Sequence, residues 1–300
     1  MQSSQLLIER EKMLRGASTE LGKTTMGAQY GQANSVKWDN HFTLSQDIPN
    51  PGLFGKQKLL ADARIKSSEL NLAVTKQELV LQVKSAWYQL AWLQSVKYLL
   101  QRQDTLYRNF LKAAEVRYRT GETRMLEQST AQTRLNENNN QVQRNVADIR
   151  IAQINLQRLL NSKDEISIAM ENIIRLDGSS ITPTATLPAD HPLTAYLQQE
   201  IKVNEQTIKV EKAKGGPDFS VGYFNQSIYG FQNTDGTEKF YDFGKRFHGV
   251  QASVSFPIFN KPYASRVRAA KVDQQIAESN LELARNNLNG QFREALQQYE

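Results

Sequence analysis

The chain has 300 residues, a net charge of +6, 23% charged and 39% hydrophobic residues, and no cysteine, which excludes disulfides, thiolate nucleophiles and cysteine zinc sites. No apolar run reaches the ~18 residues of a transmembrane helix, and Lys and Arg alternate with Asp and Glu instead of forming the basic patch or stripe of a nucleic-acid footprint. A mean hydropathy of −0.57 leaves little for a thick core, but suits long helices wetted on two sides, each needing only a seam of apolar contact.

The opening MQSSQLLIEREKMLRG reads as a charged amphipathic helix without the apolar core of a signal peptide. A strand is predicted over 24–31, with Met26, Ala28 and Tyr30 opposite Thr25, Gly27, Gln29 and Gly31. A second covers 40–48, with Phe42, Leu44 and Ile48 opposite His41, Thr43, Ser45 and Asp47. From Lys56 to Thr120 there is neither glycine nor proline, which predicts a helix roughly 95 Å long. Ile65, Leu72, Leu79, Ala86, Leu93, Leu100, Tyr107 and Ala114 recur along it at the heptad, with Val83 and Leu90 in partner positions and Lys97 and Asp104 interrupting them. Gly121 stands alone before a second breaker-free run, Glu122 to Asp177, whose Leu135, Val142, Ile149 and Leu156 keep the same period. A seven-residue repeat implies left-handed supercoiling of this hairpin, 53–161. Around its seam the return helix is polar, as in Asn136-Glu137-Asn138-Asn139-Asn140-Gln141, and by itself the pair could be a simple antiparallel coiled coil.

Residues 162–190 read as a Ser/Thr/Pro-containing linker. Helical spacing resumes at Leu193, Leu197, Ile201 and Ile208 and stops at Gly215-Gly216-Pro217. Strands are predicted over 218–228, with Phe219, Val221 and Tyr223 opposite Ser220 and Gly222, and over 247–256, with His248, Val250, Ala252, Val254 and Phe256 opposite Gly249, Gln251, Ser253 and Ser255. Between them Tyr223, Phe224, Tyr229, Phe231, Phe240, Tyr241, Phe243 and Phe247 bracket a turn at Asn233-Thr234-Asp235-Gly236. A last helix from 263 carries Ala270, Ala277, Leu281, Ala284, Leu288 and Ala295 on one side and runs to Glu300 without a cap, so the chain reads as an internal piece of a longer protein. Alternation alone does not decide between a soluble half-buried sheet, which it favours, and a barrel whose apolar face meets lipid and whose small polar face meets a lumen.

The order helix, strand, strand, proline, long helix is given twice, over 1–190 and, truncated, over 191–300. The two junctions, SQDIPNPGLFGKQKLLADARI and SVSFPIFNKPYASRVRAAKV, each end an alternating strand at a proline, then place an aromatic and a basic, alanine-containing helix start. This duplicated unit resembles the TolC-like outer-membrane efflux proteins across essentially the whole chain. PNPGLFGKQ is similar to the strand-to-helix corner of their heavy-metal branch. Ala114-Glu115-Val116-Arg117-Tyr118-Arg119-Thr120-Gly121-Glu122-Thr123, followed by Leu126 and Ala131, is similar to their periplasmic hairpin tip.

The resemblance implies a mainly α fold: long antiparallel coiled-coil helices, plus four strands per protomer contributing to a trimeric transmembrane β-barrel and helical tunnel. It also implies a passive exit duct for heavy-metal cations, working as a homotrimer in outer-membrane lipid with a periplasmic adaptor and an inner-membrane RND-type pump. Four strands cannot close a barrel alone, and open edges cannot persist in lipid, so several chains must share one. The competing class is a soluble periplasmic coiled-coil adaptor, which would not repeat the helix–strand–strand–helix unit.

No catalysis is expected. His41, His191 and His248 lack the short spacing of a zinc site, Gly215-Gly216-Pro217 is a breaker and not a phosphate cradle, and no serine sits in a nucleophile elbow, so neither cofactor nor metal is anticipated. The candidate sites are surfaces. Arg117, Tyr118, Arg119, Gly121, Glu122 and Leu126 form a candidate adaptor-docking tip. Pro49, Pro51, Gly52, Phe54, Pro257 and Phe259 form the strand-to-helix corners. Thr43, Ser45, Asp47, Gln251, Ser253 and Ser255 are candidates to face the lumen.

Overall fold

The computed structural model describes residues 1–164, 166 and 191–299, so the expected linker over 162–190 lies almost wholly outside the described residues. Its elements run α1 (Gln2–Gly16), β1 (Thr24–Gly31), β2 (Asp39–Ile48), α2 (Pro51–Arg119), α3 (Met125–Leu160), α4 (Pro192–Ala213), β3 (Asp218–Ser227), β4 (Gly230–Thr234), β5 (Thr237–Tyr241), β6 (Arg246–Ser255) and α5 (Lys261–Tyr299). The fold is mainly α, with a small antiparallel β part. The described residues fall into two compact units, one drawn from Met1–Val74 and Thr186–Gln298, the other from Thr75–Ala185.

The first unit holds a four-stranded antiparallel sheet of order β1-β2-β3-β6. Strands distant in sequence are neighbours here: Ile48 stands opposite Phe219, and Leu44 opposite Tyr223. Sequence reading anticipates four strands; β4 and β5 add a separate two-stranded hairpin. Its turn uses positive φ at Asp235 (55°) and Gly236 (78°), the backbone that suits a two-residue hairpin connection.

Below the sheet, α2 and α4 pack through Leu53, Leu60, Val210 and Ala213, flanked by Val203. Two polar stitches run beside this seam: Gln199 Nε2 donates to the Ala63 carbonyl at 3.0 Å, and Ser67 Oγ to the Glu200 carboxylate. Arg15 pairs with Asp62 at 2.5 Å, but both side chains are nearly half exposed, so the pair contributes at most about 1 kcal/mol.

The second unit is built on the helical hairpin. Ala86, Leu90, Ala91 and Leu93 of α2 meet Ala152 and Leu156 of α3, flanked by Val83, Trp87 and Ile149. Leu90 is 0% exposed, and burying it contributes roughly 1.5–3 kcal/mol.

One sequence expectation is corrected here. Asn138 belongs to the polar run assigned to the wetted surface around the seam, yet it is buried within the seam, as is Asn145 one heptad on. Asn138 Nδ2 donates to the Leu100 carbonyl at 3.3 Å, and Asn145 Nδ2 to the Leu93 carbonyl at 3.2 Å. The acceptors step back along α2 by one heptad as the donors step forward along α3, so the two bonds are read in the same antiparallel register. Both Oδ1 atoms are buried without a protein partner.

Candidate functional site

The sheet sorts its residues by chemistry. Cross-strand partners share a face, and the rows Met26–Leu44–Tyr223–Val250 and Ala28–Phe42–Asn225–His248 lie on the apolar one. On the opposite face run Thr25–Ser45–Gly222–Gln251 and Gly27–Thr43–Phe224–Gly249. Asp47, Ser220 and Ser253 continue that side, as do Asp218 and Ser255. All six strand residues singled out in the sequence, Thr43, Ser45, Asp47, Gln251, Ser253 and Ser255, therefore share one face.

Glycines on the polar face make room for large neighbours. A Cβ at Gly249 would stand 2.8 Å from the Phe224 ring, and one at Gly222 would stand 3.0 Å from the Gln251 side chain. Phe224 lies across Gly249 and meets His41 edge-on, with ring centroids 6.1 Å apart. His248 sits 6.3 Å from Tyr223, across the other face. Among the described residues no three His, Asp or Glu side chains converge as a metal would require.

At the loop end of the sheet, Asp39 is fully buried. Its carboxylate accepts from the backbone N–H groups of Ala33 (2.9 Å) and Asn34 (2.6 Å) and from Ser35 Oγ (2.7 Å). Ser35 Oγ in turn accepts from the Tyr229 N–H at 2.9 Å, and Ser227 Oγ from the Asn40 N–H at 3.1 Å. Arg246 spans the strands, donating to Asn225 Oδ1 at 2.5 Å and to Asn40 Oδ1. These bonds tie the β1–β2 loop to the start of the β3–β4 loop. Sequence reasoning passed over this network; its one local signal is the turn-forming Asn34-Ser35 a few residues before a strand that opens on an acid.

The aromatic group read from the sequence divides. Tyr229, Phe231, Phe240 and Phe243 cluster on the β4–β5 hairpin, with Tyr229–Phe243 centroids at 4.8 Å and Phe231–Phe240 at 5.1 Å. Tyr223 and Phe224, adjacent on β3, belong to opposite faces of the sheet.

The first corner is stitched by a residue that sequence reading did not select. Pro51 occupies the first helical position of α2 and Asn50 caps it, Oδ1 accepting from the Gly52 N–H at 3.0 Å. Asn50 Nδ2 donates to the Ala213 carbonyl at the end of α4 (3.0 Å), and the Asn50 N–H to Asp218 Oδ1 at the start of β3 (2.8 Å). Gly216 passes so close that a Cβ there would collide with Asn50 Nδ2. Pro49 and Phe54 are half-buried beside this joint. The second corner is bare: Pro257 is half-buried, while Ile258 and Phe259 are 80% and 84% exposed.

At the hairpin tip, Arg117 and Arg119 end α2, and Gly121 takes φ +79°, the left-handed conformation that lets the chain reverse. The Glu122 N–H closes the turn on the Arg117 carbonyl at 2.9 Å. Arg117 is committed to the tip itself, pairing with Glu127 at 2.9 Å and with Glu122 at 3.8 Å, and Thr123 Oγ1 also donates to Glu127. Tyr118 and Leu126 point outward, with Leu126 74% exposed. Further up α2, the hydrogen-bonded Asp104 carboxylate, 2.7 Å from Arg108 Nε, raises the pKa of that guanidinium.

Residues 15–162 match the family model described as outer membrane efflux protein. Among solved structures, the chain is similar to the Campylobacter jejuni CmeC outer membrane channel, with a TM-score of 0.74 at 15% identity, over 98% of this chain and 66% of that one. It is similar to the outer-membrane channel OprN, with a TM-score of 0.74 at 17% identity, over 99% and 70% of the two chains. CusC, whose structures describe transmembrane channel formation, gives 0.73 at 14% identity, over 98% and 71%. The chain thus spans about two thirds to seven tenths of the length of these relatives, and at such identities the likeness is one of fold. No curated protein sequence matches it.

Proposed function

From the premise that this chain belongs, through residues 15–162, to the outer membrane efflux protein family, we propose that it forms the passive exit duct of a tripartite efflux system. It sits in the outer membrane as a homotrimer. The observation that carries this reading is the sheet: four strands in a register that puts mostly apolar side chains on one face and mostly small or polar ones on the other, ending, among the described residues, at two unpaired edges, β1 and β6. A sheet buried on neither face, with open edges, is complete only when lipid covers the apolar side and other copies cover the edges. Three such sheets make a twelve-stranded barrel, lined by Thr43, Ser45, Asp47, Gln251, Ser253 and Ser255.

The helices support the same assembly. On α2 a second apolar stripe, Leu81, Tyr88, Trp92, Leu99, Leu106 and Phe110, is exposed. At ~3.6 residues per turn it lies roughly 165° around the helix from the seam with α3. A tunnel wall one helix thick needs such a second seam to meet its next neighbour.

Conduction requires no catalytic residue; the energy comes from an inner-membrane RND-type pump. The tip, with Tyr118, Arg119, Gly121 and Leu126 presented and Arg117 and Glu122 bracing it, is the surface we assign to a periplasmic adaptor. The helix–strand–strand–helix unit that serves the barrel is used twice, over 1–190 and 191–300, with Pro49, Pro51, Gly52 and Phe54 at one corner and Pro257 and Phe259 at the other. The cargo we propose is heavy-metal cations, supported by the corner segment PNPGLFGKQ.

The primary test is the mass of the full-length protein extracted in detergent from fractionated membranes. A trimer in the outer-membrane fraction, conducting ions in planar bilayers, is the expected result. A periplasmic monomer or dimer would overturn the duct. Cargo is tested separately: deletion of the gene should lower tolerance to copper, zinc or cobalt salts, and unchanged tolerance to all three would overturn the metal assignment.

A further inference from the structure

The two strand-to-helix corners hold matching asparagines in unequal surroundings. Asn50 precedes α2 and Asn260 precedes α5, and each carbonyl accepts the first backbone bond of its helix, from the Leu53 N–H at 2.8 Å and the Ala264 N–H at 3.0 Å. The Asn50 side chain is fully used, on Gly52 and on the Ala213 carbonyl that ends α4. The Asn260 side chain is exposed, and among the described residues it makes no hydrogen bond. What occupies the first corner is the helix that leads into the neighbouring strand: α4 precedes β3, and β3 pairs with β2.

At the second corner the strand is β6, an edge of the sheet, whose other edge is β1. The helix that leads into β1 is α1. Counting back from the two helix ends, Gly16 of α1 corresponds to Ala213 of α4, and Met13 to Val210. Val210 is 4% exposed against α2, whereas Met13 is 76% exposed. An uncovered apolar position on α1 and an unused amide at the β6–α5 corner are the two halves of one joint.

We propose that Asn260 clamps the end of α1 in a second copy of this chain. Its Nδ2 donates to the Gly16 carbonyl of that copy, as Asn50 does to Ala213 within the chain, and Met13 of that copy covers the base of α5. This rests on the homotrimer reading and names the contact that closes each seam of the ring. The α1–β1 connection carries a short 3-10 turn over Ala17–Thr19 that has no counterpart between α4 and β3, so the correspondence is drawn at the helix end and not along the turn.

These 300 residues hold no cysteine, so once any cysteine elsewhere in the full-length protein is replaced by serine, engineered pairs report without background. The full-length protein with Gly16→Cys and Asn260→Cys is oxidised in detergent and run on denaturing gels, beside a control with Asn50→Cys and Ala213→Cys. The control links within one chain and runs as a monomer; the Gly16–Asn260 pair is expected to give covalent dimers and trimers. A native mass measured on the same samples separates the two ideas. A trimer without inter-chain links, or a link within one chain, overturns the clamp while leaving the duct standing; a native monomer overturns the duct itself. As a second measure, Asn260→Ala should lower the temperature at which the trimer falls to monomers, and an unchanged midpoint also overturns the clamp.

Discussion

The hairpin and the sheet solve the problem of burial in opposite ways. In the hairpin, α2 and α3 close a dry seam between themselves, with Leu90 at 0% and Leu156 at 1% exposure. In the sheet, each strand pairs well and most of the apolar side chains share one face, yet Met26, Tyr223 and Val250 on that face all remain exposed. The difference teaches that the hairpin closes one seam within the chain and leaves a bare stripe on α2, whereas the sheet is ordered by hydrogen bonds and register and its apolar face still lacks any covering. Within a protein, such surplus apolar surface marks where something else must sit.

The largest effect is expected where the seam is deepest. Leu90→Ala should destabilise the hairpin by about 2–5 kcal/mol, since a fully enclosed leucine leaves a cavity. Leu81→Ala, on the bare stripe of the same helix, should change the monomer by less than about 0.5 kcal/mol. Thermal melts of the helical circular dichroism compare them, and equal costs would erase the distinction between the two seams. In the sheet, Gly249→Val should cost about 1–3 kcal/mol, because its Cβ would meet the Phe224 ring at 2.8 Å and displace it. Tryptic sensitivity of the β3–β6 region should rise while the hairpin keeps its protection.

At the tip, Gly121→Val places a β-branched residue at φ +79°, a strain of roughly 1–2 kcal/mol confined to the turn. Trimers should survive and efflux should fall; full efflux would remove the docking role. The smallest effect concerns the buried amides. Replacing Asn138 and Asn145 together by Leu should leave the hairpin within about 1 kcal/mol of its stability or raise it, since two buried Oδ1 atoms without protein partners are removed. What should be lost is the single register, seen as doubled amide resonances or as new cross-links displaced along α2. A sharp loss of stability with one register kept would instead mean that the amides hold the hairpin together.

Much of this was legible from local pattern. The alternation around Met26, Ala28 and Tyr30 marks the residues of β1, and the breaker-free run before Gly121 marks α2. The solitary Gly121 stands in the turn, at positive φ. The fine structure of the polar positions was not legible. Asn138 reads as one more surface amide in a polar run, because its partner is a backbone carbonyl on another helix and carries no residue identity. Asn50 was passed over for the prolines and aromatic beside it for the same reason: its acceptor belongs to Ala213, far along the chain. Asp39 stands just outside the strand read over 40–48, and only the folded β1–β2 loop turns three donors toward it.

The sequence by itself determined the long helices, the four strands of the main sheet with their alternating faces, and where the hairpin must reverse, but not the strands β4 and β5 or the buried side of Asn138. The features it determined follow from periods of two and seven and from glycine and proline, whose constraints act within a few residues. Tertiary structure alone decided that β2 pairs with β3, so that four alternating strands share two common faces, and that two amides of α3 are buried against backbone carbonyls of α2. Such pairings depend on hydrogen bonds between backbone groups common to every residue. Only the folded chain brings the two ends of each bond together.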